Sequence, residues 1–320
     1  MEIHSLIRSL RLKHGLSQHE VSKDIMSRSA YSRFELGDRA LTSSEFDLIM
    51  TRLDAQVSDL NDIENLENPL AAQIRKLVQD YLNHTLDLSH LEKLYLQLKH
   101  DNNKSMGAYR NYLFLKHQFN HVLPIIEPIT TEEIDRLFLE IKNKDHLTNY
   151  YLQLIADFTP YFTKEHLIYF FDTLEKYPVE FISVLDCEYL HVFPSTISNI
   201  TDALIDLAVL DKNKPDQELL AYAHSSCDKL NQILKMSPLF NYNLLLTLFR
   251  IRIEFYQAQT KREKAVALEK ARTYQKEVEF IANMRNYDGN KIKTTADIVL
   301  YSLNNLITTG MPGKVAYFID

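Results

Sequence analysis

Residues 15–42 read GLSQHEVSKDIMSRSAYSRFELGDRALT, and the spacing of caps, glycines and apolar residues sets short helices in a row. Before this stretch Ile3, Leu6, Ile7 and Leu10 recur at i, i+3, i+4 and i+7, one apolar stripe of a helix. Gly15 follows that stripe, where a left-handed residue commonly ends a helix. Ser17 is placed to cap a second helix, with Glu20 as the reciprocal partner of a capping box. Leu16, Val21 and Ile25 form its apolar side. A third helix is expected from about Arg28 to Leu36, stopped by Gly37. Arg28 and Ser32 are four apart, as are Ser29 and Arg33, so the four form one patch. Ala30, Tyr31 and Phe34 fall on the opposite side and pack toward helices one and two. A fourth helix starts at Thr42–Ser43 and carries the stripe Phe46, Ile49, Met50 and Leu53. A short fifth turn at 58–63 closes a five-helix unit spanning 1–65.

A helix with a small polar-basic face and an apolar back suits insertion into a DNA major groove. Arg28 and Arg33 can each donate two hydrogen bonds to a guanine edge, about 1–3 kcal/mol of discrimination apiece. Ser29 and Ser32 can bond a base edge or a phosphate, and Ser27, at the end of the turn before them, is a further DNA-contact candidate. Gln18 opens the second helix, where unpaired backbone N–H groups favour a phosphate.

Charge hardly distinguishes this segment. The chain carries 36 basic and 43 acidic residues, a net charge of −7. Residues 1–33 hold six basic against three acidic side chains, but residues 1–60 hold eight against nine. The case for nucleic acid therefore rests on spacing, and a second subunit is expected to supply the missing affinity.

Residues 66–69, Leu-Glu-Asn-Pro, read as a linker, and residues 70–320 as a second domain of continuous helical periodicity. Helices are expected at 70–83, 87–100, 103–122, 130–143, 147–158, 163–176, 179–192, 196–210, 216–235, 240–258, 262–284 and 290–308. The breaks fall at Pro124, Pro128, Pro160, Pro178, Pro194, Pro215, Pro238 and Gly289. Helix pairs repeating every 34–45 residues or so are the period of an α-solenoid of the tetratricopeptide kind. The fold class is therefore all-α. With 6 glycines, 2 cysteines and no tryptophan, the chain has neither the turn residues of a strand-rich fold nor a disulfide framework. No apolar stretch is long enough for a membrane span, the most apolar one being interrupted by Arg250 and Arg252. A cytoplasmic location is expected.

Residues 15–42 resemble the phage-repressor-type (XRE-like) helix-turn-helix. The resemblance implies that Gln18 anchors the DNA backbone and that Arg11 and Glu35 form a structural ion pair between helices one and three. One departure is the turn Asp24-Ile25-Met26-Ser27, which lacks the glycine many members carry and is one residue shorter. A closer match lies in SRSAYSRFELG, residues 27–37, followed by a long helical region, which resembles the Rgg/MutR group of regulators. Residues 147–177, LTNYYLQLIADFTPYFTKEHLIYFFDTLEKY, look like the helical hairpin of that group, although the tryptophan usual there is missing. Membership implies a homodimeric transcriptional regulator of quorum sensing, bound to a double-stranded DNA operator and controlled by a short imported peptide pheromone. The alternative is a phage-repressor-like or antitoxin-like DNA-binding protein whose helical domain only oligomerises or binds a protein partner.

A groove between helix pairs would hold an extended peptide with side-chain amides and basic groups. Arg110, Asn111, Asn149, Tyr150, Asn243, Arg250 and Asn283 are the candidates. His117 and His121, or Cys187, His191, His224 and Cys227 together, have spacings open to a metal, but none is the tight knuckle of a structural zinc site. No metal or cofactor is expected. Nucleophile elbows, phosphate-binding glycine loops and HExxH are missing from the sequence, so an enzyme is not indicated.

Overall fold

Among the described residues, four helices make the N-terminal head: α1 (Ile3–Lys13), α2 (Gln18–Ser22), α3 (Arg28–Glu35) and α4 (Ser43–Arg52). The computed structural model describes residues 3–55, 69–144, 146–179, 187–211, 214–285 and 294–311, and among them all regular structure is helical. Gly15 has φ +67° and Gly37 φ +84°. At each, the next N–H closes back on the helix, Leu16 N to Arg11 O at 3.1 Å and Asp38 N to Arg33 O at 2.9 Å. These are Schellman endings, which a residue with a Cβ adopts only at a cost. Ser17 with Glu20, and Thr42 with Glu45, form complete capping boxes on α2 and α4.

The stripes meet in one core of Leu6, Ile7, Leu10, Val21, Tyr31, Phe34, Ile49, Met50 and Leu53. Leu16, Ile25 and Phe46 pack around it, half-buried. Burying side chains of this size stabilises by roughly 1.5–3 kcal/mol each. Ile3, in the same stripe by spacing, is instead 46% exposed, at the edge of this core. The fifth turn expected at 58–63 lies outside the described residues.

The chain forms two compact units, residues 1–128 and residues 129–320. The first also contains α5 (Pro69–Leu82), α6 (Leu88–Asp101) and α7 (Met106–Phe119). Pro69 is the first residue of α5, where its missing N–H is not needed. Residues 66–68 of the expected linker are outside the described set. Tyr95 and Tyr112 stack with ring centroids 5.9 Å apart and help join α6 to α7.

The second unit runs α8 (Thr131–Lys142), α9 (Asn149–Phe158), a 3-10 turn (Thr159–Tyr161), α10 (Lys164–Glu175), α11 (Cys187–Ala208), α12 (Gln217–Met236), α13 (Phe240–Gln257), α14 (Lys261–Arg285) and α15 (Thr295–Thr309). From α11 onward each helix packs on the next, and α9, α11, α13 and α15 stack in order, as helix pairs of a repeat do. α13 sits inside this stack and is buried on most sides, whereas α14 buries only Ala267, Ala271, Tyr274 and Val278 among its described side chains.

Two expectations need correcting. Pro194 does not break a helix: α11 runs through it from Cys187 to Ala208. The proline deprives the Leu190 carbonyl of its N–H partner, yet Phe193, Ile197 and Ile200 on the same helix are essentially inaccessible. Thr196 Oγ1 also lies 3.1 Å from Leu152 O on α9 and 2.8 Å from Val192 O. Tertiary packing here outweighs the local cost of the proline. The repeat is also longer than 34–45 residues from α13 to α15, because α13 and α14 are 18 and 25 residues long. Pro124, Pro128, Pro178, Pro215 and Pro238 lie between helices and Pro160 in the 3-10 turn, while Gly289 is outside the described residues.

Candidate nucleic-acid interface

The third helix of the head presents one polar edge to solvent because its other edge is consumed by the core. Tyr31 and Phe34 are buried, and Ala30 is half-buried. Ser27, Arg28, Ser29 and Arg33 are exposed, and Ser32 is half-buried beside them. Ser27 caps the helix by accepting from Ala30 N at 3.2 Å, and its hydroxyl lies 3.1 Å from that of Ser29. The first turn of α3 is thus ordered by its own side chains. No hydrogen bond or ion pair engages the side chain of Arg28 or Arg33 among the described residues, so both guanidinium forks remain open for a ligand.

Behind this edge, Arg11 and Glu35 join α1 to α3. Arg11 Nε lies 2.6 Å from Glu35 Oε1 and NH2 lies 3.0 Å from Oε2, a bidentate pair with both side chains buried. Arg11 NH1 also donates to Leu16 O at 2.6 Å, fixing the start of α2. Burial opposes the Glu35 charge, but hydrogen bonds from Arg11 and Gln18 outweigh it and hold the carboxyl below its usual range. The same bond raises Arg11. Tyr31 is pushed up by burial and by the Glu35 charge.

The sequence places Gln18 at the free end of α2, within reach of a phosphate. Its Nε2 donates to Glu35 Oε2 at 2.8 Å. An amide nitrogen carries two hydrogens, so one is committed to the ion pair and the second can still meet a phosphate oxygen. The turn without glycine is solved by Asp24, which takes φ +62°. Aspartate is among the few residues that visit this region at tolerable cost. Two residues that spacing did not single out hold this turn, Arg52 on α4 and Arg39 in the loop before it. No sequence signal could have found them, since their partners lie 31 and 13 positions away.

The peptide-contact candidates divide between the two units. Arg110 and Asn111 are half-buried on α7. Asn149 and Tyr150 begin α9, both half-buried. Asn243 and Arg250 are exposed on α13, seven residues apart and so on one face. Asn243 Nδ2 reaches Leu239 O at 3.2 Å and Arg250 NH2 lies 3.6 Å from Asp228 Oδ1. Asn283 is exposed near the end of α14. Of the metal-spaced residues, His121 Nε2 lies 2.9 Å from the Tyr81 hydroxyl and His224 Nδ1 3.3 Å from Asp228. Cys227 is buried, which pushes its thiol up to about 12. Among the described residues no three His, Cys, Asp or Glu side chains gather, and no helix is long and apolar enough to cross a membrane.

Residues 7–60 match the helix-turn-helix family model, and the head carries that domain. No curated protein sequence matches the chain. Solved structures do. A point mutant of PrgX covers 98% of this chain and 97% of its own at 15% identity, with a TM-score of 0.58. The SHP pheromone receptor Rgg2 of Streptococcus dysgalactiae covers 90% and 99% at 16% identity, TM-score 0.52. A bacterial peptide pheromone/receptor complex covers 88% and 94% at 15% identity, TM-score 0.51. The chain thus has the all-helical fold of Rgg2 and PrgX with a helix-turn-helix at its N-terminus.

Proposed function

We propose that this chain is a transcriptional regulator that binds a double-stranded DNA operator as a homodimer through α3 and is controlled by a short peptide held by its helical repeat. The observation that carries the DNA reading is α3 itself. Arg28, Ser29 and Arg33 stand exposed on a helix whose back is locked into the core and whose last turn is clamped by Arg11–Glu35. A fixed helix with open guanidinium forks is what base-edge recognition requires. The same reading assigns residues 1–65 to the DNA-binding domain and 70–320 to regulation, peptide binding and dimerisation, in the cytoplasm. Peptide control is supported by the likeness of fold to Rgg2 and PrgX, one a pheromone receptor by name. Arg110, Asn111, Asn149, Tyr150, Asn243, Arg250 and Asn283 are the proposed contacts.

Two measurements test this. Selection of duplexes from a random pool by the full-length chain should enrich a two-fold symmetric site, with half-sites about one helical turn, or a multiple of it, apart. Isothermal calorimetry against synthetic short hydrophobic peptides, including any encoded beside the gene, should give saturable binding. Enrichment without peptide binding would leave a regulator whose repeat serves another partner.

A further inference from the structure

The turn between α2 and α3 is held from outside, by the C-terminal end of α4 and by the loop that leads into it. α2 is only five residues long, and the turn after it passes through the left-handed Asp24. A non-glycine residue there costs about 1–2 kcal/mol relative to ordinary backbone. The last carbonyls of so short a helix also lack partners of their own. Arg52, at the C-terminal end of α4, answers both needs. Its NH1 lies 3.4 Å from Glu20 O and 3.2 Å from Val21 O, and it also bonds Lys23 O. A cation over the negative end of a helix is favourable in itself. Arg39, in the loop before α4, reaches the other side of the turn. Its NH1 lies 3.1 Å from Met26 Sδ, and its NH2 lies 2.6 Å from Glu45 Oε1. Glu45 in turn holds Thr42 N, at the start of α4, at 3.0 Å. Lys23 and Met26, at the two sides of Asp24, are therefore each gripped by an arginine anchored on α4.

We infer that Arg52 is a positioning residue for operator recognition: it sets the angle at which α3 leaves α2, acting through the Lys23 carbonyl rather than by touching DNA. This rests on the DNA-binding reading above. A wrong angle would leave Arg28 and Arg33 chemically intact but out of register with base edges. Base-edge bonds depend on that register, whereas attraction to phosphates does not.

The test uses the full-length chain, a duplex enriched by the wild type from a random pool, and a scrambled duplex of the same composition. Arg52→Met keeps the stem and loses the fork. The ratio of the two affinities should fall about tenfold, with scrambled-duplex affinity and the slope of affinity against salt unchanged. Arg52→Lys, the second variant should Arg52→Met fail to fold, keeps the charge and a donor nitrogen on a shorter stem and should lose about two- to threefold. Both are measured below their melting temperatures. An unchanged ratio in a folded variant makes Arg52 merely structural and overturns the inference. A salt slope reduced by about one unit makes it a phosphate contact and overturns it equally. If the wild type enriches no duplex at all, it is the DNA-binding reading that fails.

Discussion

The guanidinium of Arg11 grips the carboxylate of Glu35 through two bonds, 2.6 and 3.0 Å long, across 24 residues of chain. Gln18 adds a third at 2.8 Å, so three of the head's helices converge on one buried carboxylate. Removing one partner of such a pair strands the other charge away from water. Glu35→Ala should therefore destabilise the chain by about 3–5 kcal/mol, read as a lower urea midpoint of the helix-turn-helix transition.

The same carboxylate sets an acid limit. Its folded pKa lies below the usual value, so its contribution to stability is present above the unfolded pKa of about 4.3 and is lost as pH falls through the folded value. Melting temperature followed below about pH 5 should drop in the wild type. Glu35→Gln, less stable throughout, should show a shallower slope there, and parallel slopes would remove Glu35 as the titrating group.

The side chains of Arg28 and Arg33 are exposed and unengaged among the described residues, so replacing them should leave the fold alone. Each change to Ala should weaken binding to the enriched duplex by about 1–3 kcal/mol and relax preference at one base position. Thermal melts should be unchanged. Sequence discrimination surviving the double substitution would place the recognition surface elsewhere.

The two glycines of the head should respond differently to alanine. Both have left-handed φ, so each change strains the backbone by about 1 kcal/mol. At Gly15 a Cβ meets open space, whereas at Gly37 it would lie 3.1 Å from His4 Cε1. Gly37→Ala should then be the more damaging of the two in chemical denaturation. Adding His4→Ala should recover the difference.

In the second unit, Arg252 is inaccessible and pairs with Asp202 and Asp206 on α11. Burial works against its charge, but the two carboxylates outweigh that and keep it protonated. Arg252→Met should cost about 3–5 kcal/mol by leaving Asp202 buried without its cation. Arg252→Met combined with Asp202→Leu and Asp206→Leu should restore much of the loss in a denaturant titration.

What the sequence alone determined is whatever is made by residues within a turn or two of one another. Ser17 with Glu20 and Thr42 with Glu45 cap their helices, Gly15 and Gly37 end theirs, and Tyr31 and Phe34 fall opposite Arg28 and Arg33. These follow from helical period and local backbone stereochemistry, which act whatever the rest of the chain does. The Rgg/MutR-like pattern in residues 27–37 likewise pointed to the fold seen in Rgg2 and PrgX. Tertiary structure alone decided the rest. It carried α11 through Pro194, because packing around Phe193 and Ile197 outweighs one missing N–H. It tied Gln18 to Glu35, and it brought Arg52 over the end of α2, about thirty positions earlier. Such contacts join residues whose separation no periodicity encodes, and their energy exists only once the helices have docked.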